Sequence, residues 1–227
     1  IKLNLDSAKP TIAIGKLYVK DLSLTPQRDK TRPEDTVTYR PLLATQIMSI
    51  PLKMKIDSLL LSNGQVRYHE ITQKSGKEAY LMIDRIRGSV SNIKTYDIKE
   101  KDSLFVVINS TRLYGKGPMR MNFRQSYTDT LQGFWLRTRM GKFDMQEMNA
   151  LLLPQIGLRI HTGIIDTLTM IVNGNKYFAY GKMDLRYHNM SVQLQGKGEG
   201  GKFFMGGTVN WIINQVLRRH DNGRPNL

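Results

Sequence analysis

Apolar and polar residues alternate along most of the chain, the period of strands with one dry and one wet face. In 182–188, Met183, Leu185 and Tyr187 alternate with Lys182, Asp184, Arg186 and His188. Val192 and Leu194 resume the pattern after a turn expected near Asn189. Upstream, Leu168, Met170 and Val172 alternate with Thr167, Thr169 and Ile171 as far as Asn173-Gly174-Asn175. Asn and Gly accept the positive φ of tight turns, so this triplet predicts a hairpin. A second such unit sets Leu52, Met54 and Ile56 against Lys53, Lys55 and Asp57. It meets Asn63-Gly64, where a turn is again expected, and resumes with Val66 and Tyr68. Met119, Met121 and Phe123 alternate with Arg120, Asn122 and Arg124, and Phe134, Leu136 and Met140 oppose Trp135, Arg137 and Arg139.

Two stretches carry helical spacing instead. Near 144–153, Asp144 and Glu147 form a capping box, Met145, Met148 and Leu152 fall on one face, and Pro154 is expected to stop the segment. Near 208–219, Thr208 is a candidate N-cap, and Val209, Ile212, Ile213, Val216 and Leu217 recur at helical intervals. The segment 25–41 holds Pro26, Pro33, Pro41 and many charges and reads as a loop, as does Gly196–Gly201. Ile56-Asp57-Ser58-Leu59 before Asn63-Gly64 echoes Ile165-Asp166-Thr167-Leu168 before Asn173-Gly174.

This inventory poses a packing problem: many amphipathic strands and only two helices to cover them. Either the sheet folds onto itself as a sandwich or barrel, or something other than this chain covers part of its apolar face.

Composition narrows the chemistry. The 227 residues include no cysteine, which excludes a cysteine nucleophile, a thiolate metal site and a redox pair. The net charge is +15, a balance that invites a polyanion or an anionic membrane as partner. It is spread along the chain, with one imbalance: from Lys116 to Lys142, Arg120, Arg124, Arg137 and Arg139 meet a single acid, Asp129. The 12 methionines suit irregular core filling and equally a pliable surface for acyl chains.

Catalytic patterns are weak. Gly196–Lys202 matches the first seven positions of a phosphate-binding loop, but Phe203 stands where the metal-binding Ser or Thr belongs. His69, His161, His188 and His220 lack zinc spacing, and no G-x-S-x-G elbow appears. The reading is therefore non-enzymatic, with no catalytic residue, metal or cofactor.

Met140–Asn149, then Leu151-Leu-Leu-Pro-Gln155, Thr162–Leu168 and Tyr180–Met190 resemble the C-terminal portion of AsmA-like proteins. In that family a "D-x-x-x-L-N-x-x-L-x-P" helix precedes an "x-G-x-I-D-x-L" strand and a "G-x-M-x-L-x-Y-x-x-L" strand, with Met190 here in place of the last Leu. Ile56–Tyr68 is similar to the family's recurring "I-D-x-L-x-L-x-N-G-x-V-x-Y" unit, and Gly15–Leu24 to another of its strand pairs.

The resemblance implies one mainly β domain over 1–227: an elongated, curved antiparallel sheet forming a half-open groove, with two short helices. It also implies a Gram-negative periplasmic protein anchored to the inner membrane by a helix upstream of Ile1. Such a protein would bind phospholipid in lipid transport and outer-membrane assembly. The residues expected to face lipid are Leu168, Met170, Val172, Met183, Leu185 and Tyr187. The alternative is a β-sandwich that binds a polyanion, lipopolysaccharide or nucleic acid, through Arg120, Arg124, Arg137 and Arg139. On the favoured reading the partner is an envelope lipid and no nucleic acid is expected.

Overall fold

The computed structural model describes residues 2–4, 11–32, 41–73 and 75–194. The expected helix at 208–219 and the Gly-rich stretch 196–202 lie outside them.

The alternating segments become strands β1 (Lys2–Asn4), β2 (Thr11–Lys20), β3 (Ser23–Leu24), β4 (Gln27–Asp29), β5 (Lys53–Ile71) and β6 (Glu78–Lys94). There follow β7 (Ser103–Leu113), β8 (Gly117–Ser126), β9 (Phe134–Met140), β10 (Phe143–Asp144), β11 (Leu158–Gly174) and β12 (Ala179–Leu194). All twelve belong to one open sheet. The fold is mainly β, curved and half-open, as the resemblance implied, with two short helices among the described residues. Among the described residues the two packed sheets of a sandwich do not form.

From β5 to β12 each strand pairs antiparallel with the next along the sheet. One edge departs from this: β2, β3 and β4 lie end to end along β5, all parallel to it. Parallel neighbours cannot share a tight turn and need a crossover. Here the crossover contains helix α1 (Leu43–Met48), which the sequence pattern did not predict. The segment 25–41 is likewise more than a loop, since Gln27–Asp29 pair with His69–Ile71.

Three expected turns resolve differently. Asn63-Gly64 is no hairpin: β5 runs straight through it as 19 residues, with the register shifting on either side of Gly64. Asn63 has φ 54° there, and Arg85 on β6 has φ 52°. Beside them Asp21 has φ 57°, and its carboxylate accepts from Asn63 Nδ2 at 2.6 Å. Asn189 (φ 52°) is also a break within a strand, β12 continuing on both sides. Extra residues inserted in this way bend a strand and increase its twist, and here they curve the sheet. The β11–β12 hairpin does form, but its turn follows Gly174, where Asn175 Oδ1 accepts from the amides of Tyr177 (2.8 Å) and Phe178 (3.1 Å).

A 3₁₀ turn over Met145–Met148 leads into helix α2 (Asn149–Ile156). Asp144 caps as expected, accepting from Gln146 N at 2.9 Å. Glu147 instead pairs with Lys116, and that hydrogen bond raises the Lys116 ammonium above its usual range. Pro154 does not stop α2. The helix ends at Gly157, whose φ of 70° suits a residue without Cβ.

The two helices sit over opposite ends of the strands. Beneath the 3₁₀ turn and α2 lie Tyr114, Met140, Phe143, Ile160, Ile165, Leu185, Tyr187 and Met190. Beneath α1 lie Ile56, Ile93, Leu104 and Tyr127, with Ala44 of the helix itself.

Candidate functional site

Paired residues of a ladder share a face, so the registers define rows across the sheet. One row joins Val106, Phe123, Leu136, Val172 and Gly181, and the next joins Ile108, Met121, Thr138, Met170 and Met183. These rows lie between Leu104, in the core beneath α1, and Met140 with Leu185, in the core beneath α2. Met121, Phe123, Leu136, Met170 and Val172 are half-buried and belong to neither core. The Phe123 ring stacks on Phe134 at 5.9 Å. At one end of the floor Gly181 leaves no room for a side chain, since a Cβ there would lie 2.1 Å from Ile171 O. The result is an apolar floor between two capped ends.

The six expected lipid-facing residues share this face but not its exposure. Leu185 (8% exposed) and Tyr187 (1%) are sealed in the core beneath α2, because the short helix predicted from Asp144 onward packs on them. Leu168 and Met183 are half-buried against that core. Met170 and Val172 remain on the open floor.

The opposite face is polar and basic. Register places Arg120 against Arg139, Asn122 against Arg137 and Arg124 against Trp135. Arg120 and Arg139 line one depression of about 450 Å³. Arg124 lines a separate recess of about 590 Å³ that also holds Glu100, Asp129, Phe178 and Tyr180. Arg137 is half-buried between them, its Nε without a hydrogen-bond partner. The four arginines thus share a face but not a pocket. Sequence alternation missed Arg85, Arg87 and Arg112, because the irregular stretch of β6 and β7 interrupts the pattern that would reveal their side.

Buried polar groups fasten the ends. Glu70 (3% exposed) accepts from Lys30 Nζ at 2.7 Å, Tyr68 Oη at 2.6 Å and Gln155 Nε2 at 3.1 Å. Burial pushes its carboxyl up, but the hydrogen bonds from Lys30 and Tyr68, then the Lys30 charge, outweigh this and hold it below its usual range. Tyr114 Oη donates to Tyr80 O and Tyr127 Oη to Asn92 O, and burial raises both hydroxyls. His188 Nδ1 lies 2.9 Å from Asp166 Oδ2. Among the described residues no group of three or more His, Asp or Glu is placed to hold a metal, and no helix is long and apolar enough to cross a membrane.

Comparison with protein-family models, with curated proteins and with solved structures finds no match to this chain.

Proposed function

We propose that the inner face binds the acyl chains of a phospholipid and that the protein is a non-enzymatic lipid-handling component of the Gram-negative envelope. One observation carries this: an apolar floor spans five strands of an open sheet between two helix-capped ends, buried at Val106, Ile108 and Thr138 and half-exposed at Met121, Phe123, Leu136, Met170 and Val172. Exposed apolar surface of this continuity favours an apolar occupant, because covering it removes hydrocarbon from water at ~25 cal/mol per Å². Methionines at 121, 170 and 183 give the floor side chains that adapt to chains of different length. The AsmA-like sequence patterns agree with this reading, and with a periplasmic position and an inner-membrane anchor N-terminal to the sheet.

The test is to purify the chain from a Gram-negative host and quantify co-purifying phospholipid by mass spectrometry, alongside Met170→Asp. The wild type should carry lipid. The variant should lose most of it while costing about 1–2 kcal/mol of stability, since water reaches a half-exposed position. Wild-type protein free of lipid, or a folded variant that still carries it, would overturn the proposal.

A further inference from the structure

We propose that the outer face carries a separate binding site, an arginine-lined depression that takes a ligand bearing two or more phosphate groups. It is built where β6 and β7 are irregular. Asp84 pairs with Arg112 and Arg87 with Ser110, so Arg85 and Ile86 together face only Thr111. Arg85 sits there in a left-handed conformation (φ 52°), which a residue with Cβ seldom adopts. A bulge of this kind re-aims side chains. It leaves a hollow of about 300 Å³ lined by Asn63, Arg85, Arg87, Ser110 and Arg112. Ser110 and Arg112 also line the 450 Å³ depression that holds Arg120 and Arg139, so the two are contiguous. Five arginines from four neighbouring strands therefore line one surface, and among the described residues no carboxylate lines it.

Within the described residues one carboxylate offsets part of this charge. Among the described residues the one carboxylate within ion-pair range of any of the five is Asp84, whose Oδ1 is 4.0 Å from Arg85 Nε. Arg112 Nη1 donates to Lys116 O, and Arg120 stands directly opposite Arg139. Like charges directly opposite across a ladder are destabilising. Four of the five are exposed, Arg112 being half-buried, so their guanidinium groups can meet a ligand. Planar guanidinium forks match phosphate oxygens two at a time, and a spread of five calls for more than one phosphate. A phosphorylated lipid headgroup and a soluble polyphosphate offer the same chemistry. This site lies on the face opposite the apolar floor and does not depend on it.

Two probes separate the sources: tripolyphosphate by calorimetry, and flotation with phosphatidylcholine vesicles with or without phosphatidic acid. At low salt the wild type should bind at least one of them. Binding of both marks the phosphate cluster as the recognised group, and binding of the acidic vesicles alone marks a lipid headgroup as its source. Arg120→Gln with Arg139→Gln should weaken binding by about tenfold, and Arg120→Lys with Arg139→Lys by less, because charge survives without the fork. Lys20→Gln with Lys53→Gln removes the same charge from exposed positions on β2 and β5 and should leave binding unchanged. The arginine-to-glutamine pair should melt no lower than the wild type, since a repulsion has been relieved. Met170→Asp should bind tripolyphosphate as the wild type does, so this proposal and the lipid reading can fail separately. Absence of binding to both probes, or an equal loss in the lysine control, would overturn the site.

Discussion

At the scale of single residues, the buried Glu70 carboxylate does the most joining. It receives Lys30 just after β4, Tyr68 from its own strand and Gln155 from α2, so one side chain ties the parallel edge to the helix. Its carboxyl is held below the ordinary value in the folded state. A group with a depressed folded pKa contributes stability that is present above its unfolded value, about 4.3, and lost as pH falls through the folded one. Glu70→Gln should therefore cost about 2 kcal/mol at neutral pH, on the scale of hydrogen bonds to a charged group. The gap between wild type and variant should close below about pH 4. Urea unfolding at several pH values measures this, and a gap that stays constant into strong acid would remove the role. Glu70 is not singled out in the sequence. Its importance comes from Lys30 and Gln155, forty residues before it and 85 after it, and no local pattern records that.

At the scale of elements, what was legible followed period and what was hidden followed context. The strands around 119–123, 134–140, 168–172 and 182–188 form where alternation placed them, and Asp144, Met145, Met148 and Leu152 serve the helix they predicted. Helix α1 was illegible because its caps are not local. Leu42 offers no side-chain cap. The free amides of Leu42 and Ala44 instead donate to Gln132 Oε1 (3.0 Å) and Gln125 Oε1 (2.9 Å), 90 and 81 residues away. Asn63-Gly64 misled for a related reason. Its readiness for positive φ is real, but β2, β3 and β6 pair on both flanks and convert a turn signal into a bulge. This yields a test. Asn63→Val, with a branched Cβ forced to φ 54°, should cost about 1–2 kcal/mol, and Asn63→Gly should cost less despite losing the bond to Asp21. Equal denaturation midpoints for the two variants would contradict the left-handed conformation at Asn63 on which the bulge rests.

At the scale of the whole molecule, a single sheet is held at its two ends and left open between them. Its longest strand, β5, has 19 residues, roughly 60 Å at about 3.3 Å per residue. Each end has a helix, an apolar core and a buried tyrosine bonded to the backbone at β6. The cost of introducing a charge should accordingly change along one ladder. Leu185 pairs with Leu168 beneath α2, whereas Val172 pairs with Gly181 in the uncovered middle. Both lie on the same face, and alternation alone treats them as equals. Leu185→Asp buries an unpaired carboxylate at an 8% exposed site and should cost several kcal/mol, comparable to the stability of a typical domain. Val172→Asp places its charge where water can reach it and should cost about 1–2 kcal/mol. Chemical denaturation of the two variants, read by circular dichroism, compares them directly. A wide gap, with Leu185→Asp largely unfolded and Val172→Asp folded, is what an open floor between two sealed ends requires. Equal and severe losses would mean that the middle of the sheet is covered as tightly as its ends, and no free floor would remain for an acyl chain.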